Sequence, residues 1–177
     1  MFRTTRSALA LAAALLPAAA AGQATPDLSD PEVAHVAVTA NSIDIDLARF
    51  AEGRTRNAEV RGFAQTMERD HGAVNTQAAA LAGRLGVTPA DNDVSRSLQQ
   101  GAASARTALA PLHGVAFDRA YMDREIAYHQ AVLNALDSLL IPTTENAELR
   151  GLLEQVRPAV AAHLEHARRL RASLGGA

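Results

Sequence analysis

The chain has 177 residues, 17 basic and 19 acidic side chains, a formal charge of −2 and no cysteine. The missing cysteine excludes a disulfide framework, a thiolate metal site, a catalytic thiol and a lipidated N-terminal cysteine. Every basic residue is arginine, and removing Arg3 and Arg6 from the 17 takes the charge to about −4, which makes nucleic acid a poor partner.

From Met1 to about Gly22 the chain carries Arg3 and Arg6, an apolar run from Ala8 to Leu16, then Pro17 and small residues. This is the order of a secretory signal. The run is far short of the roughly 20 residues a membrane span requires. Residues 1–24 therefore read as a cleaved signal peptide and 25–177 as one exported, most simply periplasmic, domain. Outer-membrane association is left open, and the mature part holds no segment apolar enough to cross a membrane.

Asp30-Pro31 reads as an N-cap with proline at the first helical position, and Val33, Val36, Ala40, Leu47 and Ala51 then recur at three and four. Helix one is expected over about 31–55. Val60, Ala64, Met67, Val74, Ala78, Leu81 and Leu85 place helix two over about 58–85, ending at Gly86. A weaker pattern through Val94, Leu98, Ala102, Ala105 and Leu109 marks a helical connector, which at 1.5 Å per residue is long enough to travel the length of a bundle. Met122, Ile126, Leu133, Leu136 and Leu140 define helix three over about 116–140, stopped by Ile141-Pro142. Helix four starts near Asn146 and holds Pro158 in its interior, where a kink is expected. Two hairpins joined by a long connector form the ferritin-like version of a four-helix bundle, with a simple up-down bundle as the alternative.

Each long stripe has one ionisable residue where an apolar one is expected: Asp44 on helix one, His71 on helix two, His129 on helix three and His163 on helix four. All four point inward by periodicity and lie mid-helix, which predicts one shared layer. Glu68, Asp70, Glu125 and His166 stand near it at one-turn spacings. Imidazoles and carboxylates so placed suit a transition metal such as Fe, Zn or Cu. The competing reading is a hydrogen-bonded polar layer without metal, in which Asp44 pairs with a protonated histidine and Tyr121 or Tyr128 satisfies another. No catalytic residue set and no organic-substrate site stand out.

The segments IDIDLARFA from Ile43, FAQTMERDH from Phe63, FDRAYMDREIAYH from Phe117 and PAVAAHLEHA from Pro158 resemble a family of exported bacterial proteins. It is the domain-of-unknown-function family 4142, sometimes labelled a predicted outer-membrane protein and classed as ferritin-like. The likeness runs from about Pro31 to Leu170. It implies a ferritin-like four-helix bundle with a long helical crossover between helices two and three, and an exported location; it implies no activity.

Ferritin-like di-iron proteins take a glutamate from each of two helices and Glu-x-x-His from each of the other two. By that resemblance Glu68 and His71 match one Glu-x-x-His, Glu125 a lone glutamate, and Asp44 a shorter carboxylate on helix one. Val160 stands where a glutamate would precede His163, and His163 stands where one would precede His166, so the second Glu-x-x-His is missing. The departure favours a single metal ion over a di-iron centre. The expected role is metal handling or redox protection; the rival is a non-catalytic envelope bundle with a pH-sensitive histidine layer.

Overall fold

The computed structural model describes residues 26–175, and the expected signal peptide lies outside them. The described chain is all α. Its elements are α1 (Asp30–Glu52), α2 (Ala58–Leu85), α3 (Asp93–Leu109), a joined helix α4 over 114–143, and α5 (Ala147–Ser173).

The start of α1 differs from the sequence expectation. The N-cap is Ser29, whose N–H and hydroxyl both donate to Glu32 Oε2, at 2.9 and 2.6 Å. Asp30 is already helical, and its carboxylate instead accepts the backbone N–H groups of Glu145 and Asn146, at 2.8 and 2.9 Å. One acidic residue thereby ties the start of α1 to the start of α5. Asn57, Asn92 and Asn146 cap α2, α3 and α5 through their side-chain oxygens, satisfying N–H groups that have no partner within the helix.

Pro142 does not stop α4 where the sequence suggested. The helix widens into a π-turn over Leu136–Leu140 and continues through Ile141–Thr143. The last carbonyls of the helix are bonded by threonine side chains. Thr143 Oγ1 donates to the Leu139 carbonyl at 2.7 Å and Thr144 Oγ1 to the Leu140 carbonyl at 2.6 Å. Pro158 lies inside α5, which continues unbroken through it.

Chain neighbours α1 and α2 pack together, as do α4 and α5, and α2 also meets α5. The helical connector, α3, lies mainly along α1 and touches α4 lightly. Among the described residues no helix is long and apolar enough to cross a membrane.

The core falls into two apolar clusters. One holds Val36, Ile43, Leu81, Leu133, Leu136, Leu140, Leu153 and Val160. The other holds Leu47, Val60, Met67, Met122 and Ala167, together with Phe63, Phe117 and Tyr121, and Phe50 packs against it. On α1 and α2 the change from one cluster to the other falls at the ionisable residue, with Ile43 and Leu47 flanking Asp44 and Met67 and Leu81 flanking His71; on α4 and α5 it falls close by, between Met122 and Tyr128 and between Leu164 and Ala167. The expected layer is therefore the boundary between two halves of the core.

Candidate metal centre

Helical periodicity delivers the four side chains. Asp44 is fully buried, and His71, His129 and His163 are 5, 1 and 7 % exposed, one from each of α1, α2, α4 and α5. The three imidazole rings form a triangle with centroids 5.3, 5.5 and 5.8 Å apart. One nitrogen from each ring lies within 4.8 Å of the others, and Asp44, Glu125 and His129 form a second such group.

The hydrogen bonds around the rings are organised from outside. His71 Nδ1 is 2.8 Å from Asn41 Oδ1, an acceptor because Asn41 Nδ2 donates to Asn75 Oδ1. His129 Nδ1 is 2.9 Å from the Glu125 carbonyl, and His163 Nε2 is 3.0 Å from Asp70 Oδ2. Each of these nitrogens carries the proton and donates it to oxygen, which fixes the tautomer. The nitrogen left bare is then His71 Nε2, His129 Nε2 or His163 Nδ1, and all three are buried without a hydrogen-bond partner among the described residues. Metal-ligating histidines are held in the same way, one nitrogen anchored to oxygen and the other presented to the ion.

Asp44 faces this triangle. Its Oδ2 is 2.8 Å from His71 Nε2 and 3.5 Å from His129 Nε2. Despite the short approach, Oδ2 and His71 Nε2 lack the alignment of a hydrogen bond. With the only His71 proton on Nδ1, two lone pairs confront each other there, a repulsion that either a second proton on Nε2 or a metal ion between the two atoms relieves. Donors about 2.0 Å from one tetrahedral ion stand roughly 3.3 Å apart. The Asp44–His129 spacing is near that figure, the Asp44–His71 spacing is shorter, and an ion would draw the three rings somewhat closer.

Sequence reading did not single out Arg124, which completes the charge arrangement. The guanidinium is buried, with Nη1 2.8 Å from Glu125 Oε1 and 3.3 Å from Asp44 Oδ1, and it lies over the Tyr128 ring at 3.9 Å. The signal was in the chain, since Tyr121, Arg124 and Tyr128 recur at three and four. Burial would raise the Asp44 pKa, but His129, His71 and Arg124 outweigh it and hold that carboxylate well below the usual range. Glu125 moves the other way, pushed well up by burial and by the Asp44 charge, against the opposing pull of Arg124. Burial depresses His129 to about 4 and lowers His163, with Asp70 opposing the latter shift.

The remaining candidates separate. Asp70 stands outside the ring triangle and holds His163, while Arg69 pairs with it at 2.9 Å. Glu68 points away and binds Arg49 at 2.8 Å, so its Glu-x-x-His spacing with His71 brings no second ligand to the layer. His166 packs edge-on against Phe63 with centroids 5.2 Å apart. Neither tyrosine satisfies a histidine as the metal-free reading expected: Tyr128 donates to the Ala40 carbonyl at 2.8 Å, and the Tyr121 hydroxyl is buried without a partner.

A family model described as Domain of unknown function (DUF4142) matches residues 14–170. No curated protein matches the chain, and no solved structure does.

Proposed function

Because the chain belongs to the DUF4142 family, whose description carries no activity, we propose a function from the site itself: the protein binds one transition-metal ion in its core. The ligands are His71 Nε2, His129 Nε2, His163 Nδ1 and Asp44 Oδ2. The observation that carries this reading is the pattern of the three rings, each with one nitrogen donating to oxygen and the other bare and buried, in a group where one nitrogen of each ring lies within 4.8 Å of the others. Three imidazoles and a carboxylate suit zinc, copper or iron. Four protein donors leave no open position, which favours holding a metal over performing chemistry on it.

The centre is mononuclear. A second cation position between Asp44 and Glu125 is filled by the Arg124 guanidinium. We read the four ligand-bearing helices as a ferritin-like bundle with α3 as its crossover, in an exported periplasmic protein. Supporting this are the contribution of one polar residue by each long helix and the signal-like order of residues 1–24.

Titration of the untagged, demetallated protein with Zn²⁺, Cu²⁺ and Fe²⁺ tests the proposal. One equivalent should bind, and His71→Ala, His129→Ala and His163→Ala should each abolish tight binding. A folded chain that takes up none of the three ions overturns it.

One observation favours a second reading, a metal-free polar layer: Arg124 already neutralises Asp44. Under it, His129→Leu raises stability and added metal leaves the melting temperature unchanged.

A further inference from the structure

The core half that lacks phenylalanine is incompletely filled. A cavity of about 380 Å³ lies among α1, α2, α4 and α5, on the aliphatic side of the histidine layer. Its walls owe their spacing to alanines, Ala34 and Ala37 on α1 and Ala78 and Ala82 on α2. Across the layer the corresponding space is taken by Phe63, Phe117 and Tyr121. Cores pack to crystal-like density, and an apolar void forfeits the contacts of everything lining it. Leucine at the alanine positions would reduce that loss, so these small side chains maintain the space.

The α4 wall includes the π-turn, where Leu136 and Leu140 face the cavity. Such turns recur at functional sites. Its other end meets the histidine layer through Asn41 and Asn75, and Asn41 also holds His71.

The lining dictates the chemistry of an occupant. Among the described residues no cationic side chain reaches the cavity, and the acidic one, Asp30, is engaged by two backbone N–H groups. The Asn146 amide oxygen is likewise used, capping α5. A carboxylate or phosphate head would thus find no counter-charge. Asn41 and Asn75 use one amide hydrogen each within their own network, leaving the second of each pair for a carbonyl or hydroxyl. An apolar space of a few hundred cubic ångströms with a few convergent polar groups has the character of a small-molecule site.

We propose that this cavity binds an uncharged, predominantly apolar small molecule whose single polar group meets the Asn41–Asn75 pair. The site is separate from the metal ligands and stands whether or not a metal is bound.

The test uses the neutral dye N-phenyl-1-naphthylamine, whose emission rises in apolar surroundings, and the anionic dye anilinonaphthalene sulfonate. The neutral dye should bind the mature protein saturably at one equivalent and at least tenfold more tightly than the anionic one. An unlabelled neutral alcohol, dodecanol, should displace it. Ala37→Leu and Ala78→Leu, on separate helices, should each weaken binding at least tenfold while retaining helical circular dichroism; Ala103→Leu, on an exposed face of α3, should leave it unchanged. Absence of saturable binding to the wild-type protein overturns the proposal, as does equal affinity for the anionic dye. So does a concentration-dependent dimer that excludes the dye and is dissolved by Ala78→Leu, because a second copy would then be the occupant.

Discussion

The Asn41 side chain touches no proposed donor atom, yet it decides which nitrogen of His71 is bare. Asn41→Ala frees the ring to rotate and to change tautomer, and outer partners of metal ligands are typically worth about 10- to 100-fold in affinity. Zn²⁺ titration should show a loss in that range with one equivalent retained; unchanged affinity would remove Asn41 from the scheme. Two other rings of the layer, His129 and His163, weaken the metal-free chain in acid. Burial depresses His129 to about 4 and lowers His163, so the unfolded chain binds protons more readily than the folded one. Their stabilising contribution is complete above about pH 6.5 and falls as the pH drops toward 4, with His129 alone accounting for roughly 3 kcal/mol at the lower limit. Glu125, pushed well up, gains stability over the same window, so the urea midpoint of the wild type relative to His129→Leu, measured with chelator, should fall along that course from pH 7.5 to 4.5, and saturating Zn²⁺ should oppose the fall. Asp44, His71, His129 and His163 were legible because each interrupts an apolar stripe. Arg124 was less so, since sequence spacing does not reveal whether a long charged side chain snorkels to solvent or turns inward to a carboxylate 80 positions away.

At the scale of the helices, the ends are set by side chains whose roles sequence only partly discloses. Gly86 ends α2 at φ +63°, where a Cβ would meet no neighbouring atom. The cost of Gly86→Ala is therefore that of the left-handed backbone alone, about 1 kcal/mol. Chemical denaturation should show that loss, with metal stoichiometry unaffected; a loss above about 3 kcal/mol would mean that the glycine is needed for close packing. The helix spans were readable from periodicity, and the end of α2 from Gly86. Asp30 was misread as a cap because Ser29 and Glu32 already satisfy that end, which leaves its carboxylate for a loop distant in sequence. The passage of α4 beyond Pro142 was equally hidden. It runs through a π-turn and ends where two threonine hydroxyls bond the last carbonyls, and neither leaves a periodic signature.

In the molecule as a whole, the polar layer divides two unlike halves, a closed one with all the described phenylalanines and an aliphatic one that holds the cavity. The halves were not distinguishable from the stripes, because an alanine that packs tightly and one that borders a void look alike in sequence. Outside them, α3 buries only Ser95, Leu98 and Leu109 and lies mainly on α1. Segments with few buried contacts open at low free energy. Amide hydrogen exchange should accordingly be fastest among the helices in α3, intermediate in the stretches around the cavity and slowest around Phe63 and Phe117; equal protection of α3 and α2 would contradict this order. The chain has no tryptophan and two tyrosines. Both border the proposed centre, Tyr121 with a buried hydroxyl lacking a partner and Tyr128 beneath the Arg124 guanidinium. Near-ultraviolet absorption and emission of the unlabelled protein thus arise chiefly from chromophores beside the histidine layer, giving a native optical readout of ion uptake and acid titration without an introduced probe.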